Sequence, residues 1–465
     1  MKSKKYIKRI IWIFGVLFVL LIIYVVKIAG FDRFEIISNT YNPRLSIEDE
    51  GIKRGSILDR NGVVLAESNW DGTSYVREYP FGEKTAHVTG YSGIGKTGLE
   101  AYAGFQLTNV RNEVFQRFRN ALSDSEIAAD SVCLTLDARL NEKAYDLLNG
   151  EKGAIVLMNP NTGEILAMVS SKSFNPASAA DNWEALRDDP ESPLLNRAVS
   201  GLYPPGSTFK VITALSAIRH MEGYKDFTYK CTGEAHFSDK IIHCYNNNAH
   251  GNVNMEKALE VSCNCYFAEL GRRLGGHELR ETADSLMMNE DIDFILGRFK
   301  STVNLDFFSS ETEILETAIG QGETLVTPLY MAMLSSSVAN DGVMMKPYLV
   351  SHKMYYNGDM GGYVLPQRLK SVMSVSEAAE LKRMMTLVVE NGTGSAAAVP
   401  GYTVSGKTGT AQNPKGTDHS WFTGFMTDGD ENPMYAVAVV IENPVGQTKG
   451  AYVAGELLRY AVNNP

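Results

Sequence analysis

Residues 401–410 read GYTVSGKTGT, and two folds compete for them. As G-x-x-x-x-G-K-T the stretch matches a phosphate loop, whose backbone amides and lysine cradle a nucleotide in a parallel α/β fold. As a run of alternating residues it is a strand. A second stretch, GYSGIGKTGL at 90–99, satisfies the same pattern. A phosphate loop needs a strand before it and a helix immediately after it, so that the helix dipole meets the phosphates. Lys407 runs on into TGTAQNPKGTD, which cannot start a helix, and the 90–99 copy is preceded by EKTAHVTGYS, which is not a buried strand. Both stretches therefore read against nucleotide binding, and residues 401–410 read as a strand.

The amino terminus points the same way. MKSKKYIKRI carries Lys2, Lys4, Lys5, Lys8 and Arg9, and an apolar run comes directly after, broken only by Lys27. From Ile10 to Ile28 that run would rise about 28 Å as a helix, close to the thickness of bilayer hydrocarbon. Basic residues before the span and few after it predict a cytoplasmic N-terminus, with the remaining chain outside. The span lacks an A-x-A-like cleavage site after it, so the segment reads as an uncleaved signal anchor rather than a removed signal peptide. The rest of the protein then lies where nucleotides are not supplied.

The 465 residues suffice for two or three domains, and 44% hydrophobic with 21% charged residues is a globular composition. A formal net charge of −10, without an Arg/Lys stripe among aromatics, argues against nucleic-acid binding. The expected organisation is a basic cytoplasmic tail over 1–9, an anchor over 10–29, a small mixed α+β domain over 30–150 and a larger domain over 151–465. In the smaller domain RGSILDRNGVVLAES is a hairpin about its Asn61-Gly62 turn. The larger domain opens with two strands joined at Asn161–Gly163. Helical periods come next, over Ser207–His220, Asn254–Leu274, Leu329–Asn340 and Val375–Asn391, then strands and a last helix. Strands at both ends with helices between them predict an α/β domain with a mainly antiparallel sheet.

Five cysteines are too few for a disulfide scaffold. An extracytoplasmic location permits a bridge between Cys231 and Cys244, which flank a short polar stretch. Cys263 and Cys265 read as small buried side chains. No Cys/His spacing suggests zinc, and neither a metal nor a cofactor is expected.

In LYPPGSTFKVITALSAI, Pro204, Pro205 and Gly206 block a helix and an apolar pattern of helical period begins directly afterwards. Ser207 and Lys210, three apart, share one face in the first turn and can share a hydrogen bond. Serine needs a base to become a nucleophile, and lysine is one only if burial and neighbouring positive charge lower its pKa. The helix N-terminus adds positive potential and free amides for an oxyanion. Alone, the pair reads equally as a helix cap with a solvated lysine. LEVSCNCYF adds Ser262 and Asn264 as a polar S-x-N within an apolar stretch. VSGKTGTAQ adds Lys407, Thr408, Gly409 and Thr410 on a strand, where Gly409 would let a substrate backbone lie alongside and the threonines could hold a carboxylate. Strict alternation places Lys407 opposite Thr408 and Thr410, so that its stem must reach a cleft from the edge.

These three motifs, in this order, resemble those of penicillin-binding proteins and serine β-lactamases. RGSILDRNG, GKTGLE, MNPNTGEILAMVS, NRAVSGLYPPGSTFK, IGQGETLVTPL and VENGTGSAA further resemble class B penicillin-binding proteins, the monofunctional D,D-transpeptidases of peptidoglycan synthesis. The resemblance implies a penicillin-binding/serine β-lactamase-like transpeptidase fold on a non-catalytic pedestal. It implies Ser207 as nucleophile, Lys210 as its base, Ser262 as proton relay, Asn264 as holder of the donor amide and Lys407 as electrostatic support. Amides of Ser207 and Thr410 would form the oxyanion hole, and Thr408, Gly409 and Thr410 the substrate and β-lactam contacts. Peptidoglycan stem peptides, β-lactam antibiotics and a membrane glycan polymerase of the shape, elongation, division or sporulation type are the implied partners. A membrane-anchored β-lactamase, a D,D-carboxypeptidase and a non-catalytic scaffold are the alternatives.

Overall fold

Alternation decides the centre of the molecule. In the strand Gly153–Met158 the side chains of Ala154, Val156 and Met158 enter one core, while Ile155 and Leu157 enter another on the opposite face of the sheet. Both faces are covered, so the strand is apolar throughout. It belongs to a five-stranded antiparallel sheet in the order Thr403–Ala411, His419–Thr427, Pro433–Ile441, Gly153–Met158, Ile165–Ser171. The helix Pro328–Ala339 packs on one face, and Gly450–Asn463 with Ala138–Leu147 on the other. Each fully buried aliphatic side chain in these layers contributes about 1.5–3 kcal/mol. Thr403–Ala411 is the edge strand, paired on one side only. Gly406, Lys407 and Thr408 thus lie mid-strand, not in a loop ahead of a helix.

This is a computed structural model, and it describes residues 2–27, 53–93, 95–108, 129–412, 418–444 and 449–464. The first helix, Lys2–Lys27, contains an apolar stretch, Tyr6–Lys27, of 22 residues and mean hydropathy 2.8, long and apolar enough to cross a membrane.

A second sheet has six strands in the order Met360–Gly361, Val350–Met354, Ser131–Leu134, Ile57–Leu58, Val64–Trp70, Tyr75–Glu78. The hairpin about Asn61-Gly62 is present, with Asp59 Oδ1 accepting from the amides of Asn61 and Val63 at 2.7 and 2.8 Å. Two features blur the expected boundary at residue 150. Val350–Met354, far along the chain, pairs antiparallel with Ser131–Leu134. The helix Ala138–Leu147, capped by Asp137, packs on the five-stranded sheet, where Asn141 Oδ1 accepts from the Met168 amide at 2.9 Å.

Two expected helices differ at their starts or middles. Ser207 sits in a 3₁₀ turn, Gly206–Phe209, and the α-helix runs from Lys210 to His220. The helical period over 254–274 belongs to two helices, Met255–Glu260 and Asn264–Leu274, broken where Ser262 adopts φ +58°. A non-glycine residue there is strained, and such strain gathers at functional sites.

Candidate active site

The break at Ser262 turns the S-x-N segment towards the start of the Lys210 helix. Lys210 is fully buried, and its Nζ donates to Ser262 O at 2.8 Å, Ser262 Oγ at 3.3 Å and Asn264 Oδ1 at 2.6 Å. Burial lowers its pKa to about 8, because a desolvated ammonium is disfavoured. Lys407 is also fully buried, and its Nζ donates to Ser262 Oγ at 3.0 Å and Thr408 O at 3.1 Å. Burial first, and then the like charge of Lys210, push its pKa well below the ordinary lysine value. Ser262 Oγ therefore accepts from two amines. With both lone pairs engaged, its own proton can be given to a third group. Asn264 is fixed at both ends, since its Nδ2 donates to His243 O at 2.8 Å.

Ser207 is half-buried, in the turn that leads directly into Lys210. The expected hydrogen bond from Ser207 to Lys210 is not formed among the described residues; the amine is satisfied by Ser262 and Asn264 instead. Contacts of this kind commonly tighten only once substrate is bound. The 3₁₀ turn nevertheless eclipses residues three apart, so both side chains leave the turn on one side.

Glycines bring the Ser207 turn and the edge strand together. A Cβ on Gly206, whose φ is +54°, would stand 2.5 Å from Thr410 O. A Cβ on Gly409 would stand 2.8 Å from Pro205 O, 2.9 Å from Trp421 Cβ and 3.0 Å from Thr208 Cγ2. The space that a Gly409 side chain would take is thus occupied by the turn bearing Ser207 and by Trp421. Lys407 lies on the face opposite Thr408 and Thr410, and its Nζ comes to 3.1 Å from Thr408 O and 3.5 Å from Thr408 Oγ1. Its side chain leaves the buried face of the strand, the face on which Ser405 Oγ meets Thr386 Oγ1 at 2.8 Å. Thr408 and Thr410 lie towards solvent, Thr408 half-buried and Thr410 exposed.

Three residues at the site carry no signal in the motifs. Thr393 Oγ1 bonds Thr408 Oγ1 at 2.7 Å, Gln321 Nε2 donates to Thr410 O at 3.5 Å, and Trp421 Nε1 donates to Pro204 O at 3.0 Å. Thr393 and Gln321 stand in VENGTGSAA and IGQGETLVTPL, segments whose resemblance assigns no role to any one side chain.

The S-x-N break thus joins the buried amines of Lys210 and the edge-strand Lys407 through Ser262, beside the turn that carries Ser207. The chain belongs to the class B penicillin-binding proteins. Residues 153–462 match the penicillin binding protein transpeptidase domain, and residues 54–132 the penicillin binding protein A dimerisation domain. The chain is 31% identical over 434 residues to the peptidoglycan D,D-transpeptidase PbpA of Mycolicibacterium smegmatis, covering 86% of each. Among solved structures it is similar to a D,D-transpeptidase domain from Eggerthella lenta, with TM-score 0.80, 34% identity and coverage of 89% of this chain and 99% of that one. It is also similar to the imipenem acyl-enzyme complex of penicillin-binding protein A from M. tuberculosis, with TM-score 0.79, 30% identity and coverage of 89% and 98%.

Proposed function

We propose that this protein is a peptidoglycan D,D-transpeptidase that cross-links stem peptides through a Ser207 acyl-enzyme. The observation that carries the reading is the convergence of Lys210, Lys407 and Asn264 on or beside Ser262, under the turn that bears Ser207. Neutral Lys210 takes the Ser207 proton as Oγ attacks the carbonyl between two terminal D-alanines. The negative charge that develops is received by the amides of Ser207 and Thr410, where loss of one donor costs about 10²–10³ in rate. The C–N bond breaks, and the departing D-alanine takes a proton through Ser262, which regains it from the lysines. Asn264 holds the donor amide, and Thr408 and Thr410 bind the terminal carboxylate. An amine from a neighbouring strand then displaces Ser207 from the acyl group. A β-lactam enters the same path but keeps its leaving group tethered, so the acyl-enzyme persists.

The apolar helix supports a single-pass anchor, with the basic tail in the cytoplasm and the catalytic domain outside. In that position a membrane glycan polymerase is the partner that would supply the strands to be cross-linked.

The test is intact-mass measurement after exposure to penicillin. The expected outcome is one stable adduct per chain, mapped to Ser207, and none in a Ser207→Ala variant that melts like the wild type. Rapid release of hydrolysed drug would make the protein a β-lactamase, and no adduct at all would make it a scaffold.

A further inference from the structure

Behind the S-x-N break lies a group of side chains that the reaction does not use. Cys231 ends the strand Tyr229–Cys231, Cys244 comes just after the strand Ile241–His243, His250 precedes the strand Gly251–Val253, and Cys263 caps the helix Asn264–Leu274. Their three sulfurs and one imidazole nitrogen all lie within 4.8 Å of one another. The three cysteines are buried and none is in a disulfide. Cys231 and Cys244, the expected bridge, have sulfurs 3.7 Å apart, well beyond the roughly 2.05 Å of an S–S bond.

We propose that Cys231, Cys244, His250 and Cys263 bind one zinc ion, and that this ion holds the S-x-N segment in its broken conformation. Three of the six ligand–ligand distances match a tetrahedron around zinc, and the other three lie within 4.8 Å. Bonds of about 2.3 Å to sulfur and 2.0 Å to nitrogen require ligand atoms about 3.8 Å apart for two sulfurs and about 3.5 Å for sulfur and nitrogen. Cys244 Sγ lies 3.7 Å from Cys231 Sγ and 3.8 Å from Cys263 Sγ, and Cys231 Sγ lies 3.5 Å from His250 Nδ1. Three thiolates with one imidazole is a closed structural zinc set, and its softness disfavours calcium and magnesium. Binding releases the three thiol protons to solvent and leaves the ion with no open position for substrate. Cys265, whose sulfur is also 3.5 Å from Cys244 Sγ, is instead directed at the Ile242 carbonyl at 3.7 Å.

The local fold explains why an ion is needed. The segment from Tyr229 to Val253 consists of two-stranded pieces three residues long, which are marginal without a staple. Cys263 is the middle residue of the S-x-N motif, flanked by both partners of Lys210, Ser262 and Asn264. The cysteines and histidine are 13, 6 and 13 residues apart, which matches no compact C-x-x-C pattern and hides the site from a linear reading.

Elemental mass spectrometry of the full-length protein in detergent, dialysed against metal-free buffer, should find about one zinc per chain. Cys231→Ser and His250→Ala should each lose it, while Cys265→Ser keeps it. Denatured without reductant and with chelator, the wild type should show all five thiols. Stripping the zinc should slow penicillin acylation by about tenfold to a hundredfold, as expected for a displaced positioning group, and zinc should restore it. Zinc absent even after incubation with a zinc salt, a thiol count lowered by two, or zinc retained in the Cys231 and His250 variants would each overturn the site. Loss of zinc in Cys265→Ser would overturn the ligand set, and unchanged acylation on stripping would overturn its positioning role. None of these metal readouts depends on which residue penicillin acylates.

Discussion

Glu100 and Lys210 are both fully buried ionisable groups, and the protein surrounds them in opposite ways. Glu100, in the N-terminal domain, accepts from Arg54 Nε at 2.8 Å and Arg77 Nε at 2.7 Å, with Tyr79 OH at 3.4 Å. Burial would raise its pKa, but the two guanidiniums hold it below the usual carboxylate range. Lys210 has no carboxylate partner among the described residues, and its fellow buried amine Lys407 shares Ser262 with it. Compensated charge makes a rigid joint. Uncompensated charge makes a base, at a cost in stability.

Removing each charge should separate the two cases. Lys210→Met should slow acylation of Ser207 by about 10²–10⁴, the usual range for losing a general base. It should also raise the melting temperature, since an unpaired buried cation is gone. A lower melting temperature, or acylation at the wild-type rate, would break the contrast. Glu100→Gln should do the reverse. It strands two buried guanidiniums and should cost about 3–5 kcal/mol in denaturant unfolding, while the protein that remains folded acylates normally. A loss under about 1 kcal/mol would show that the cluster is dispensable. The smallest effect is one of pH. Below about 8 Lys210 is increasingly protonated, so the acylation rate should fall about tenfold per unit from pH 8 to pH 6. For stability the sign comes from proton uptake: the unfolded chain holds the proton up to about 10.4, so the penalty is complete below pH 8 and is relieved as pH rises from there. A flat acylation profile between pH 6 and 9 would assign the base elsewhere.

Much of the site is legible in the sequence because it is local. Pro204-Pro205-Gly206 stops one helix and starts another, and Ser207 and Lys210 come within a turn of it. The hidden part depends on distant chain. The apolar period from 254 to 274 is continuous, and only tertiary contacts such as Lys210 Nζ to Ser262 O reveal the break. The role of Gly409 is not legible, because Pro205, Thr208 and Trp421, which crowd it, are remote in sequence. Arg54 and Glu100 each stand in a recognisable segment, RGSILDRNG and GKTGLE. That the two segments clasp one another is visible only in three dimensions.

The pairing of Val350–Met354 with Ser131–Leu134 stitches the late chain to the early one. A protease cut or gene truncation that released residues from 153 onward would strip that hem, exposing unpaired amides and carbonyls that invite another copy to zip on. The later part of the chain thus carries a strand edge that Ser131–Leu134 closes.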